Sequence, residues 1–84
     1  MRRPPLVYPP AARRAGIEGR ASVGMEIGSD GKVAKVWLLT STGQAVLDRA
    51  ALENVERWRF EPTSIPGGGR FRQTITFELR RTSR

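Results

Sequence analysis

The sequence predicts an α+β fold: a three-stranded antiparallel sheet of order 2-1-3, with one long helix packed on one face and a short N-terminal helix. Three observations lead there. Arg20 to Ile27 and Phe71 to Leu79 alternate apolar and polar side chains with the period of two that a half-buried strand requires. Between them, LDRAALENVERWRFEP (47–62) changes to a period near 3.6, with Leu47, Ala51, Val55 and Trp58 on one stripe flanked by Ala50 and Asn54. Gly28-Ser29-Asp30-Gly31-Lys32 is a turn with a strong Asp-Gly hairpin signal, so the strands on its two sides are antiparallel neighbours.

Taken in order, MRRPPLVYPP holds four of the six prolines and reads as the end of an extended linker or arm over residues 1–7, with the domain proper at 8–80. Pro10 suits the first turn of a helix, where its missing N–H costs nothing, and Gly16 supplies a left-handed stop after AARRA. In the first strand Ala21, Val23, Met25 and Ile27 point one way, and Arg20, Ser22, Gly24 and Glu26 the other. The returning strand, Val33 to Thr40, has two readings of phase. Lys35 argues that Val33, Lys35, Trp37 and Leu39 face solvent, leaving Ala34, Val36 and Leu38 inward; a bulge near Val33 shifts that register.

On the long helix, Arg49, Glu53, Glu56 and Arg57 fill the solvated side, Asp48 lies in the positive first turn, and Pro62 cannot continue the helix, which stops near it. EPTSIPGGG (61–69) is a connecting loop. The last strand sets Phe71, Gln73, Ile75, Phe77 and Leu79 against Arg70, Arg72, Thr74, Thr76, Glu78 and Arg80, and 81–84 is a frayed polar tail. The helix returns the third strand parallel to the second, so that it pairs antiparallel with the first and occupies an edge. Val23, Met25, Ile27, Val36, Leu38, Ile75, Phe77 and Leu79 are then expected against Leu47, Ala51, Val55 and Trp58.

Composition narrows the function. The chain of 84 residues has no cysteine and no histidine, which removes the thiolate sites and the commonest general base and metal ligand. Its eight acids show no carboxylate pair or metal-cage spacing, and Gly67-Gly68-Gly69 is followed by neither a helix nor a Gly-Lys-Ser/Thr element. No enzymatic activity, cofactor or metal is expected. The net charge of +7, from thirteen arginines and two lysines, raises nucleic acid as a partner. Arg70, Arg72 and Arg80 share a strand face near Arg20 and Trp37, but Glu26 and Glu78 lie on the same face and one aromatic is few for a base-stacking surface. An arginine-rich module for single-stranded nucleic acid is therefore the alternative, not the first reading. The sharper reading is strand addition: the last strand is long, regular and free of proline, and its edge is a template for a foreign strand.

Tyr8-Pro9-Pro10-Ala11-Ala12-Arg13-Arg14-Ala15-Gly16-Ile17-Glu18-Gly19-Arg20 resembles the opening of the C-terminal domain of TonB-family energy transducers. Asp30-Gly31-Lys32-Val33 with Val36, Ser41 to Gly43 with the helix segment, and Ile75-Thr76-Phe77 follow in that family's order and spacing, from Tyr8 to Leu79. The resemblance implies a periplasmic domain of a protein anchored in the inner membrane, which docks on outer-membrane transporters and is driven by proton-powered inner-membrane motor proteins. It implies that the transporter's TonB box adds a strand along Arg70, Phe71, Arg72, Gln73, Thr74, Ile75, Thr76, Phe77 and Glu78, with Tyr8 and Pro9 facing the transporter plug. The motors would act through an N-terminal part missing here, so the chain reads as an excised domain, with a natural short protein as the alternative. A homodimer formed by strand exchange is a further expected partner state. Gly24, Trp37 and Gln73 depart from the family pattern.

Overall fold

The computed structural model describes residues 5–79. The elements are α1 (Pro10–Ala15), β1 (Gly19–Ile27), β2 (Val33–Thr40), α2 (Ala45–Glu56) and β3 (Gly69–Phe77). The strands form one sheet of order β2-β1-β3, and β1 pairs antiparallel with both neighbours, as the sequence predicts. The first four residues of the expected arm, Arg80 and the expected tail at 81–84 lie outside the described residues. Among the described residues no helix is long and apolar enough to cross a membrane.

Each element ends for a local reason. Pro10 starts α1, and after it the N–H groups of Gly16 and Ile17 return to the carbonyls of Arg13 (3.1 Å) and Ala12 (2.9 Å), closing the helix. The β1–β2 turn is closed by Gly31 N–H on the Gly28 carbonyl and Gly28 N–H on the Lys32 carbonyl, both at 2.9 Å. Gly31 has φ +84°, and a side chain there would also stand 1.9 Å from the Phe60 carbonyl oxygen. Phe60 N–H donates to the Gly31 carbonyl at 2.8 Å, so the hairpin tip is tied to the chain that leaves α2.

α2 begins two residues before Leu47 and lies across β1 and β2. Its buried residues are Leu47, Ala50, Ala51, Asn54 and Val55, and Trp58 completes the stripe just beyond the helix at 5% exposure. Asp48 does more than face a helix dipole. Its carboxylate accepts the Ser41 hydroxyl, the Thr42 N–H (2.8 Å) and the Thr42 hydroxyl (2.7 Å), which fixes the loop entering α2. These bonds, Ser41 first, hold the Asp48 carboxyl below its ordinary pKa.

The core joins Val23, Met25, Ile27, Ile75 and Phe77 of the sheet to Leu47, Ala51, Val55 and Trp58, with Ala12 and Ala21 filling in. β2 is the exception to the expected pattern. Its register against β1 slips twice, so that Ala34 and Leu39 are extra residues. The first slip puts Val33 and Val36 on the same inward face. Leu38, expected to be buried, is 36% exposed at the sheet's edge, and Leu79 is only half-buried past the end of β3.

Candidate protein-binding edge

β3 is an outermost strand. Its nine residues pair with β1 in unbroken register, from Gly19 opposite Phe77 to Ile27 opposite Gly69, and among the described residues no strand lies on its other flank. The direction of its backbone groups follows from the hairpin. Gly28 gives its N–H to Lys32 on the β2 side. Backbone polar groups alternate sides along a strand, so Ile27, Met25 and Val23 turn theirs to β3. Their partners Gly69, Phe71 and Gln73 turn back toward β1. Arg70, Arg72, Thr74 and Thr76 therefore aim their N–H and C=O groups at the open flank.

The side chains sort by the same alternation. Arg70, Arg72, Thr74 and Thr76 are exposed on the outer face of the sheet. On the helix face Ile75 and Phe77 are core residues and Gln73 is half-buried, while Phe71 is 43% exposed because α2 covers β1 and β2 rather than this end of β3. Glu78 is exposed beyond the strand. Of the nine residues expected to meet a partner here, four present backbone, Phe71 presents an apolar side chain, and Ile75 and Phe77 hold the strand on the core.

Tyr8, with Pro9 next to it in the chain, is brought against the Phe77 end of β3. The Tyr8 ring meets Phe77 edge to face, with centroids 5.4 Å apart at 87°, and its hydroxyl donates to the Ile17 carbonyl. The Arg13 guanidinium lies 5.2 Å from the centre of the Tyr8 ring. Partial desolvation, then the Glu18 carboxylate, raises the Tyr8 phenol above its ordinary pKa, with Arg13 opposing. Pro9 is half-buried, and its carbonyl accepts the Arg13 N–H at 3.0 Å.

Asn54 fastens the arm. Its amide pairs with the Val7 backbone in both directions, accepting N–H at 2.8 Å and donating to the carbonyl at 3.1 Å. It also donates to the Ala50 carbonyl at 2.7 Å and accepts from Arg57 at 3.0 Å, so the 4% exposed side chain is fully bonded. Periodicity places Asn54 on the flank of an apolar stripe and gives no role for it. A buried amide at that position is itself the signal, since it needs partners from outside the helix.

The outer face explains two unusual strand residues. Gly24 stands opposite Trp37 on one side and Arg72 on the other. The indole lies over Gly24, where a Cβ would come within 2.3 Å of Trp37 Nε1. Arg70 reaches Glu26 at 4.0 Å, a loose pair with side chains 77% and 39% exposed. Among the described residues no three acidic side chains gather as a metal site.

Comparison with known proteins identifies the family and the fold. The family model for the Gram-negative bacterial TonB protein C-terminal matches residues 4–79. Protein TonB of Xanthomonas campestris pv. campestris (strain B100) is 35% identical over 78 residues, which are 89% of this chain and 35% of that protein. Protein TonB of Pseudomonas aeruginosa (PAO1) is 40% identical over 68 residues, 81% of this chain and 20% of the relative. The chain thus spans about a third or less of these curated relatives. The solution NMR structure of the Pseudomonas aeruginosa TonB CTD superposes with a TM-score of 0.82 at 31% identity, covering 99% of this chain and 87% of the other.

Proposed function

This chain belongs to the family of TonB C-terminal domains, and from that premise we propose that it is the docking domain of a TonB-type energy transducer. In this reading it works in the periplasm as part of a protein anchored in the inner membrane. It captures the TonB box of an outer-membrane transporter as an added strand on β3 and passes on force generated by inner-membrane motor proteins. Tyr8 and Pro9 face the transporter plug from the neighbouring arm. The observation that carries the proposal is the open flank of β3, where four residues aim backbone donors and acceptors outward from a nine-residue strand.

The physics suits a reversible coupler. Each backbone hydrogen bond contributes about 1 kcal/mol net, so a few give modest affinity. Loaded along the strand they resist together, which a force transmitter requires. Strand exchange between two copies, hinged on the 61–68 loop, would set each β3 beside β1 of the other copy. The test is an amide NMR titration with a transporter-derived peptide. Shifts concentrated at Arg70–Thr76 support the proposal, and shifts confined to β2 or α2 defeat it.

A further inference from the structure

We infer that the segment captured on β3 carries two acidic side chains with one apolar residue between them, seated opposite Arg70, Phe71 and Arg72. This rests on the strand-addition reading and adds the chemistry of the partner to it. Residues directly opposite each other in neighbouring strands project to the same face, with Cβ atoms roughly 5 Å apart. A strand added to the open flank therefore sets two of its side chains beside Arg70 and Arg72 on the outer face, and the residue between them beside Phe71 on the helix face.

Each of the three positions has an unmet preference. Among the described residues Arg70 has only the loose contact with Glu26 at 4.0 Å, and 77% of its side chain is exposed. Arg72 stands opposite Gly24, which has no side chain to answer its charge. Phe71 leaves 43% of its surface open although its strand neighbours of the same phase, Ile75 and Phe77, are buried. An acidic, apolar, acidic triplet satisfies all three at once. The rest of the strand sets the register. Thr74 and Thr76 are neutral, and the exposed Glu78 beyond them repels acids displaced toward that end. The charge gradient along β3 thus places the acidic pair at the Arg70–Arg72 end.

The test uses the whole chain and two short peptides of identical backbone, one with Asp-Leu-Glu at the centre and its twin with Asn-Leu-Gln. Each is titrated into the wild type and into Arg70→Thr/Arg72→Thr, with threonine chosen because Thr74 and Thr76 already share that face. Affinity and β3 amide shifts are read at low and at physiological salt. The acidic peptide is expected to bind the wild type on the order of fivefold more tightly than its twin at low salt, from two exposed ion pairs. The ratio shrinks in salt and falls to about one in the double variant. Equal affinities with β3 shifts present overturn the acidic preference and leave strand addition standing. A ratio that persists in the double variant also overturns it. Absence of β3 shifts with either peptide removes strand addition and the inference together.

Discussion

Thr74→Pro separates the open flank of β3 from its bonded one. Thr74 sits mid-strand opposite Ser22, with an exposed side chain and an N–H aimed away from β1. Proline there takes away a donor that the domain's own ladder does not use, which is the condition under which edge strands tolerate it. The expected cost to folding is about 1 kcal/mol or less. A partner strand loses one hydrogen bond of about 1 kcal/mol, roughly fivefold in affinity, and the ring also fills the space its backbone must enter. The net expectation is a peptide affinity weaker by fivefold or more. Ile75→Pro is the matched comparison. It removes an N–H directed at β1 opposite Ala21 and truncates a side chain that is 5% exposed, so it loses a ladder bond plus about 2 kcal/mol of burial. Thermal melts and peptide titrations of the two variants decide the matter. A Thr74→Pro domain that binds peptide as tightly as wild type refutes the docking flank. One that melts as low as Ile75→Pro shows that the backbone directions are reversed.

Three other substitutions test the supports of the edge. Asn54→Leu should release Val7 and lower stability by about 1–3 kcal/mol, with faster amide exchange at Val7 while β1 and β3 stay protected. Gly24→Ala places a methyl within 2.3 Å of Trp37 Nε1, so the indole must lift from the sheet; fluorescence should shift to the red and stability fall by about 1–3 kcal/mol. Asp48→Asn should matter at neutral pH and not in acid. The folded carboxyl is held below its ordinary value of 3.8, so its contribution is present above that value and disappears as pH falls through the lower folded pKa. Melting temperatures of wild type and variant should therefore stay apart above 3.8 and draw together as pH falls further below it; a gap that does not narrow through that fall refutes the assignment.

The parts of the fold that could be read from the chain are those where one periodicity runs without interruption. α2 and β3 announce themselves because every inward residue obeys a single phase, and the Asp-Gly turn forces the antiparallel pair. β2 hides its phase because Ala34 and Leu39 each add a residue, so Val33 and Val36, three apart, share a face that strict alternation separates. Gly24 and Trp37 are odd singly and explicable only as a pair across the sheet. Asn54 finds its partner 47 residues away, in a backbone that no side-chain pattern describes. For the candidate edge, alternation tells which face a side chain takes but not which flank an N–H takes. That direction becomes readable only once the hairpin bond from Gly28 to Lys32 is known.

The arm and the edge belong to one mechanical unit. Under the proposed function, load enters along residues 5–8 and leaves through β3. The first connections it meets are the paired bonds of Val7 with Asn54 and the Tyr8 contacts with Ile17 and Phe77. Each is worth about 1 kcal/mol, and a pull across them opens them one after another. Once they open, α1 is the next connection, and beyond it the load reaches Gly19, the first residue of β1, directly opposite Phe77. From there, when the load leaves β3 at its Gly69 end, it shears the nine register positions between β1 and β3, and bonds loaded that way break together. The chain thus places weak, sequentially broken contacts ahead of a strong shared ladder. Asn54→Leu separates the two stages: in single-molecule pulling from the N-terminal end it should abolish a low-force step and leave the main rupture force unchanged. Loss of the main rupture in that variant would mean that the clamp on Val7, rather than the β1–β3 ladder, bears the load.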